Sequence, residues 1–378
     1  MVTRVLDGLN RSYPQWKVNE FPNRRFSPEL LHSTLQSCLP KSASYKEIGR
    51  SFEGRPIRLV SLGSGPTPVL LWSQMHGDEP TATMAIADIL NYFNLYPDEA
   101  PTITILSTLR LLFLPMLNPD GAARFQRRTA QGIDMNRDAL SLKTPEAKIL
   151  RNIQREYEPA FAYNLHDQEL STVGVTNEIT ALSLLAPAFD DKKSDNDVRT
   201  RAKHVAASLA QSAQRLAAGR IARYDDAFEP RAFGDAMQQW GTSTVLIESG
   251  HAKGDPEKAA IRRINAVCTL ASLHSIATGD YAASDLSHCE SLPFNSKRAY
   301  DIIIRNVQVR HRSGSSTLAD LGISYQVDTH SEDTPMLVDL GDLHTFVGMK
   351  EIDGGRREIP DDRLIVGKPF DWTTFFPA

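Results

Sequence analysis

The chain has 378 residues, 41% hydrophobic and 23% charged, enough for one large α/β domain and a smaller one, with the composition of an ordinary globular enzyme. A net charge of −4 leaves no basic footprint of the kind nucleic acid requires, and no run approaches the roughly 18 apolar residues of a membrane span. The three cysteines, an odd number without zinc-knuckle spacing, argue against a disulfide framework and point to reduced thiols in the cytoplasm; MVTRVLDGLNRSYPQW lacks the apolar stretch of a secretory signal.

Residues 1 to about 45 read as an irregular or helical lead-in, with turn signals at Pro14, Pro22 and Pro28. Lys46 to Leu62 predicts two short strands broken at Glu53-Gly54. Val69 to Gln74 is an apolar run that stops at the polar cluster His76-Gly77-Asp78-Glu79, as a buried strand would. Thr81 to Phe93 then sets Ile86, Ile89, Leu90 and Phe93 on one helical face.

The same alternation recurs along the chain. Leu111 to Leu117 is a predicted strand ending at the turn Asn118-Pro119-Asp120-Gly121. Thr144, Pro145 and Glu146 form a cap, a first-turn proline and a dipole-matched acid for a helix through Tyr157. Phe161 to Leu165 is a strand ending at His166, and a helix covers roughly Asp197 to Ala218. Thr244 to Ile247 is a strand ending at Glu248, and Asp255, Pro256 and Glu257 cap a helix to Thr278. Strands alternating with helices predict an α/β fold, a mostly parallel mixed sheet with helices on both faces. From about Pro293, segments such as YDIIIRNVQVRHRSG alternate in the manner of a small C-terminal β-rich module.

The conspicuous polar residues fall at the C-terminal ends of predicted strands, where open α/β sheets bind ligands. His76 and Glu79 form an H-x-x-E pair able to converge on one ion; alone, such a pair describes a salt-bridged surface turn equally well. His166 would supply a third ligand, completing the two-His, one-Glu set of catalytic zinc. Between them, residues 118–138 carry Arg124, Arg127, Arg128 and Arg137, which read either as a solvated basic loop or as recognition of an anion beside a metal. Glu248 follows four apolar or β-branched residues, so it is either half of a buried ion pair or a base.

Together these residues resemble the carboxypeptidase A-like zinc carboxypeptidases. The resemblance runs from about Tyr45 to Gly279 on SFEGRPI, HGDE, NPDG, RFQRRT, DMNR, LH and IE, in family order. It implies one zinc ion on His76, Glu79 and His166, with Glu248 as general base and Arg127 facing the oxyanion. It further implies Asn136 and Arg137 on the substrate's terminal carboxylate. The expected organisation is a catalytic domain over 1–290 and a β-rich module over 291–378. The expected substrate is a peptide with a free carboxylate, and neither nucleic acid nor membrane is an expected partner. Three positions depart from the family: Asp78 stands where an arginine is usual, Asp167 where serine is usual, and Tyr224 only approximates the position of a mobile tyrosine. Asp78 and the β-rich module leave a second reading open, an acyl-amino acid amidohydrolase of the desuccinylase or aspartoacylase type. NPDG with RFQRRT favours the peptidase.

Overall fold

The computed structural model describes residues 2–326 and 333–376. Two helices open it, α1 (Val2–Trp16) and α2 (Pro28–Cys38). The second begins where Ser27 accepts a hydrogen bond from the Leu30 N–H and Pro28 takes the first helical position. The strands that follow are β1 (Ser44–Arg50), β2 (Pro56–Leu62), β3 (Thr67–Ser73), β4 (Leu109–Leu114), β5 (Phe161–Asp167), β6 (Thr172–Val173), β7 (Leu182–Leu185), β8 (Ile221–Arg223) and β9 (Ser243–Ser249). All but β6 form one eight-stranded sheet in the order β1-β2-β4-β3-β5-β9-β7-β8. Its centre, β4-β3-β5-β9, is parallel, and antiparallel pairs flank it.

Helices cover both faces: α3 (Thr81–Leu95), α4 (Ala100–Thr108), α5 (Pro119–Arg124), α6 (Pro145–Tyr157), α7 (Asp197–Leu216), α8 (Phe233–Gln239) and α9 (Ala259–Thr278). The alternation within β3 explains why both faces must be covered. Val69 and Leu71 point to the face packed by Ile86 of α3, Val205 of α7 and Leu270 of α9. Leu70 and Trp72 point to the face packed by Leu150 of α6 and Phe233 of α8. Each such side chain contributes roughly 1.5–3 kcal/mol through burial.

A second sheet is built from β11 (Ala299–Arg310), β12 (Ser316–Gln326), β13 (Thr334–Gly341), β14 (Val347–Asp353), β15 (Glu358–Pro360) and β16 (Lys368–Pro369), with Ile304, Leu321, Leu337 and Trp372 in its core. It joins the main body through the pairing of β10 (Asn295–Ser296) with β6, and through Ile179 packed with Ala299 and Val347.

One helix lies where periodicity assigns no element, and another starts later than expected. The stretch APTITILST, β-branched and unassigned by periodicity, forms α4, where packing of buried Ile105 overrides strand propensity. The last long helix starts at Ala259, after Lys258 in the left-handed region (φ 52°), rather than at Pro256. Asp255 still caps it: its carboxylate accepts from the N–H groups of Ala259 and Ala260, both at 2.8 Å.

A buried ionic cluster ties α1, α3 and α9 together. Arg262 bonds both oxygens of Asp88 (2.6 and 2.8 Å), Tyr13 donates to the same carboxylate (2.7 Å), and so does the Val18 N–H (2.7 Å). Removing one charge leaves the other buried and unpaired. Arg262→Leu is therefore expected to cost about 3–5 kcal/mol, and Asp88→Leu combined with Arg262→Leu distinctly less. Denaturant midpoints measure both; a single-variant cost below about 1 kcal/mol would refute the cluster's role.

Candidate metal centre

Beyond β3 the chain turns sharply at Gln74 (φ 50°) and is held by the Leu117 and Asn118 N–H groups, which donate to the Ser73 and Gln74 carbonyls at 3.1 and 3.0 Å. Gly77 is required there, since a Cβ would lie 2.0 Å from the backbone carbon of Gly121. The loop carrying His76 and Glu79 thus lies directly on the NPDG turn that starts α5. His166 sits at the end of β5, beside Glu248 at the end of β9; the two residues are register partners.

His76, Glu79 and His166 are all buried and converge. His76 Nδ1 lies 2.8 Å from one Glu79 oxygen, and His166 Nδ1 lies 2.7 Å from the other. His76 Nε2 bonds Asp134 at 3.0 Å, which turns its Nδ1 lone pair inward. An outer carboxylate of this kind usually orients a ligating imidazole. Arg127 crosses the group, with Nη1 3.0 Å from His76 Nδ1 and 3.2 Å from Glu79, and its other edge on Asp134. One nitrogen cannot both donate to Glu79 and accept from Arg127. A cation on Nδ1 and the carboxylate removes that conflict. Two imidazole nitrogens and a carboxylate are also the donor set of catalytic zinc, so these residues fit the ion.

Without an ion, the electrostatics favour a positive charge at the same point, carried there by a proton on His76. Burial opposes protonation of His76, but Glu79 and Asp134 outweigh it and raise its pKa to about 9. Burial opposes ionisation of Glu79, yet the two imidazoles hold it below the usual carboxylate range. Burial, then the Glu79 charge, raises the pKa of Asp78 to about 6. Glu248 has no hydrogen-bond or ion-pair partner for its carboxylate among the described residues; burial, then the charge of Glu79, pushes its pKa well above the ordinary value. Tyr224 lies within its field, since the Glu248 charge is the main cause of the raised phenol pKa.

The remaining expected residues, Asn136 and Arg137, share one turn with Asp134. This short helical turn is capped by the Asp134 carboxylate on the Asn136 N–H. Asn136 Oδ1 accepts from the Phe233 N–H at 2.9 Å, and Arg137 is half-exposed near Glu229. Sequence reasoning missed Asp134, although the DMNR motif contains it. It also missed Lys258, a fully buried lysine 3.0 Å from Asp167, whose carboxylate also accepts from Thr81. This pair braces the residue after His166, and the Asp167 N–H in turn donates to Glu79 at 3.2 Å.

Comparison with known proteins bears on the family and the fold. The model of a family described as zinc carboxypeptidase matches residues 31–244, ending just before Glu248. Carboxypeptidase 2 of Trichophyton rubrum is 28% identical over 135 residues, 33% of this chain and 25% of that protein. Carboxypeptidase B of Astacus astacus is 31% identical over 93 residues, 24% of this chain and 30% of that one. The chain therefore spans only about a quarter to a third of the length of these curated relatives. Among solved structures, a metallo-carboxypeptidase from Pseudomonas aeruginosa superposes with a TM-score of 0.55 at 17% identity, covering 68% of this chain and 70% of that one. Bovine thrombin-activatable fibrinolysis inhibitor gives 0.54 at 14% identity, covering 68% and 98%. At such identities the likeness is one of fold.

Proposed function

The chain belongs to the zinc carboxypeptidase family, and on that premise we propose that it removes the C-terminal residue of peptides with one zinc ion held by His76, Glu79 and His166. The observation that carries this reading is the convergence of both Nδ1 atoms on the two Glu79 oxygens, with the unpartnered Glu248 carboxyl on the neighbouring strand. Zinc, when bound, supplies Lewis acidity that polarises a carbonyl oxygen and acidifies water. Glu248 takes the proton from the attacking water and passes it to the leaving amine. Arg127 stabilises the oxyanion that develops on the scissile carbonyl. Asn136 and Arg137 hold the terminal carboxylate and so position the last peptide bond.

Domain limits of 1–290 and 291–378 are consistent with the separate core of the second sheet. Three unpaired thiols, Cys38, Cys268 and Cys289, support a reducing compartment such as the cytoplasm.

The clamp makes the testable statement. Hydrogen bonds to charged groups contribute about 1.5–3 kcal/mol, so peptides with a free C-terminus should exceed their amides in kcat/KM by roughly 10- to 150-fold. Equal rates on both would remove the exopeptidase reading. N-acyl amino acids assayed alongside test the amidohydrolase alternative, which rests on the C-terminal sheet.

A further inference from the structure

The guanidinium assigned to the substrate's terminal carboxylate already faces a carboxylate of the protein itself. Arg137 Nε lies 3.6 Å from Glu229 Oε2. Glu229 is held from the other side by Arg231, at 2.8 Å from Nε and 2.6 Å from Nη2. Those two bonds, foremost, lower the Glu229 pKa to about 2, so it is an anion at any ordinary pH. The loop bearing both residues is docked on the clamp turn. The Ala139 N–H donates to the Arg231 carbonyl (3.0 Å), the Phe233 N–H to Asn136 Oδ1 (2.9 Å), and the Glu229 N–H to Asp235 (3.1 Å). Glu229 also accepts from the Arg231 N–H at 3.1 Å, so its partly exposed carboxylate is seated on Arg231 and reaches Arg137 only as a 3.6 Å ion pair.

We propose that Glu229, seated on Arg231, is a built-in competitor for the carboxylate clamp, sharing the charge of Arg137 until a substrate's C-terminal carboxylate takes it over. The inference rests on the carboxypeptidase reading of Arg137. It makes Glu229 a specificity-determining residue: it penalises every ligand that uses the clamp and none that does not. Arg231 holds the Glu229 carboxylate whether or not substrate engages Arg137, which keeps that charge paired in both states.

The penalty is that of a partly exposed ion pair, worth at most about a factor of five. Kinetics on a short N-blocked peptide and on its C-terminal amide, with zinc content and melting temperature as checks on folding, test it. Glu229→Gln should lower KM for the free acid about 3- to 5-fold with kcat unchanged, and leave KM for the amide where it was. Arg231→Gln should raise KM for the free acid, because Glu229 then leans on Arg137 alone. The same change made together with Glu229→Gln should have no effect.

An unchanged or higher KM for the free acid in Glu229→Gln, with the free-acid preference of the unaltered protein intact, would overturn the competitor role and leave the clamp standing. An equal effect of Arg231→Gln in both backgrounds would overturn it too, since Arg231 would then act independently of Glu229. Absence of any free-acid preference in the unaltered protein would instead remove the clamp itself, and the inference with it.

Discussion

His76→Ala and His166→Ala are each expected to abolish zinc binding and hydrolysis while the far-UV circular dichroism stays near that of the unaltered protein. Each removes one of three donors from a buried group whose remaining members, Glu79 and one imidazole, cannot hold the ion alone. An outer partner usually contributes about 10- to 100-fold in metal affinity. Asp134→Ala should therefore weaken binding by that amount, and the two ligand variants by more than about 100-fold. Competition against a chromophoric chelator reads all three. Full occupancy in either histidine variant would remove the ligand assignment, and an Asp134→Ala affinity equal to the parent's would remove the role given to that carboxylate.

Glu248→Gln is expected to separate catalysis from everything else. The carboxyl is buried without a partner, an arrangement that costs stability and is retained at sites that need it. Turnover should fall by about 100-fold or more, with zinc affinity unchanged. Metal-free stability should move the other way. A carboxyl whose folded pKa lies above its unfolded value binds more protons folded than unfolded in the window between the two. Stability therefore falls as pH rises through that window and stays lower above it. Glutamine removes this penalty, so the metal-free variant should melt at or above the parent's temperature at pH 7 and lose the decline with rising pH. If the variant instead melts lower and still turns over normally, Glu248 is half of a structural pair and the base lies elsewhere.

How far the sequence revealed the site follows from how local each signal is. His76, His166 and Glu248 were legible because each ends an apolar run, and a strand buried on both faces can stop only where the chain reaches a polar edge. Which nitrogen of His76 faces inward was not legible, because that depends on Asp134, 58 residues away. Lys258 was hidden for a similar reason: a lysine beside a predicted helix start reads as surface, and only the 91-residue contact with Asp167 buries it. α4 was missed because Ile and Thr favour strands until a tertiary surface claims them. The Glu229–Arg231 pair was not singled out, because an arginine two residues from an acid in a loop reads as a surface ion pair, and only the 3.6 Å approach of Arg137 brings it to the site.

The contact between Gly77 and Gly121 has a consequence for how this centre can diversify. With the Gly77 N–H also reaching the Arg127 carbonyl at 3.4 Å, the loop that carries His76 and Glu79 and the loop that carries Arg127 are in effect one rigid part. A side chain at position 77 would push both aside together. Adaptation to new substrates is thereby steered away from this junction and toward the 225–232 loop, which meets the site through side chains and a few backbone bonds. On the proposed function, chemistry and selectivity then sit on separately adjustable pieces, and a library aimed at altered preference belongs on the second.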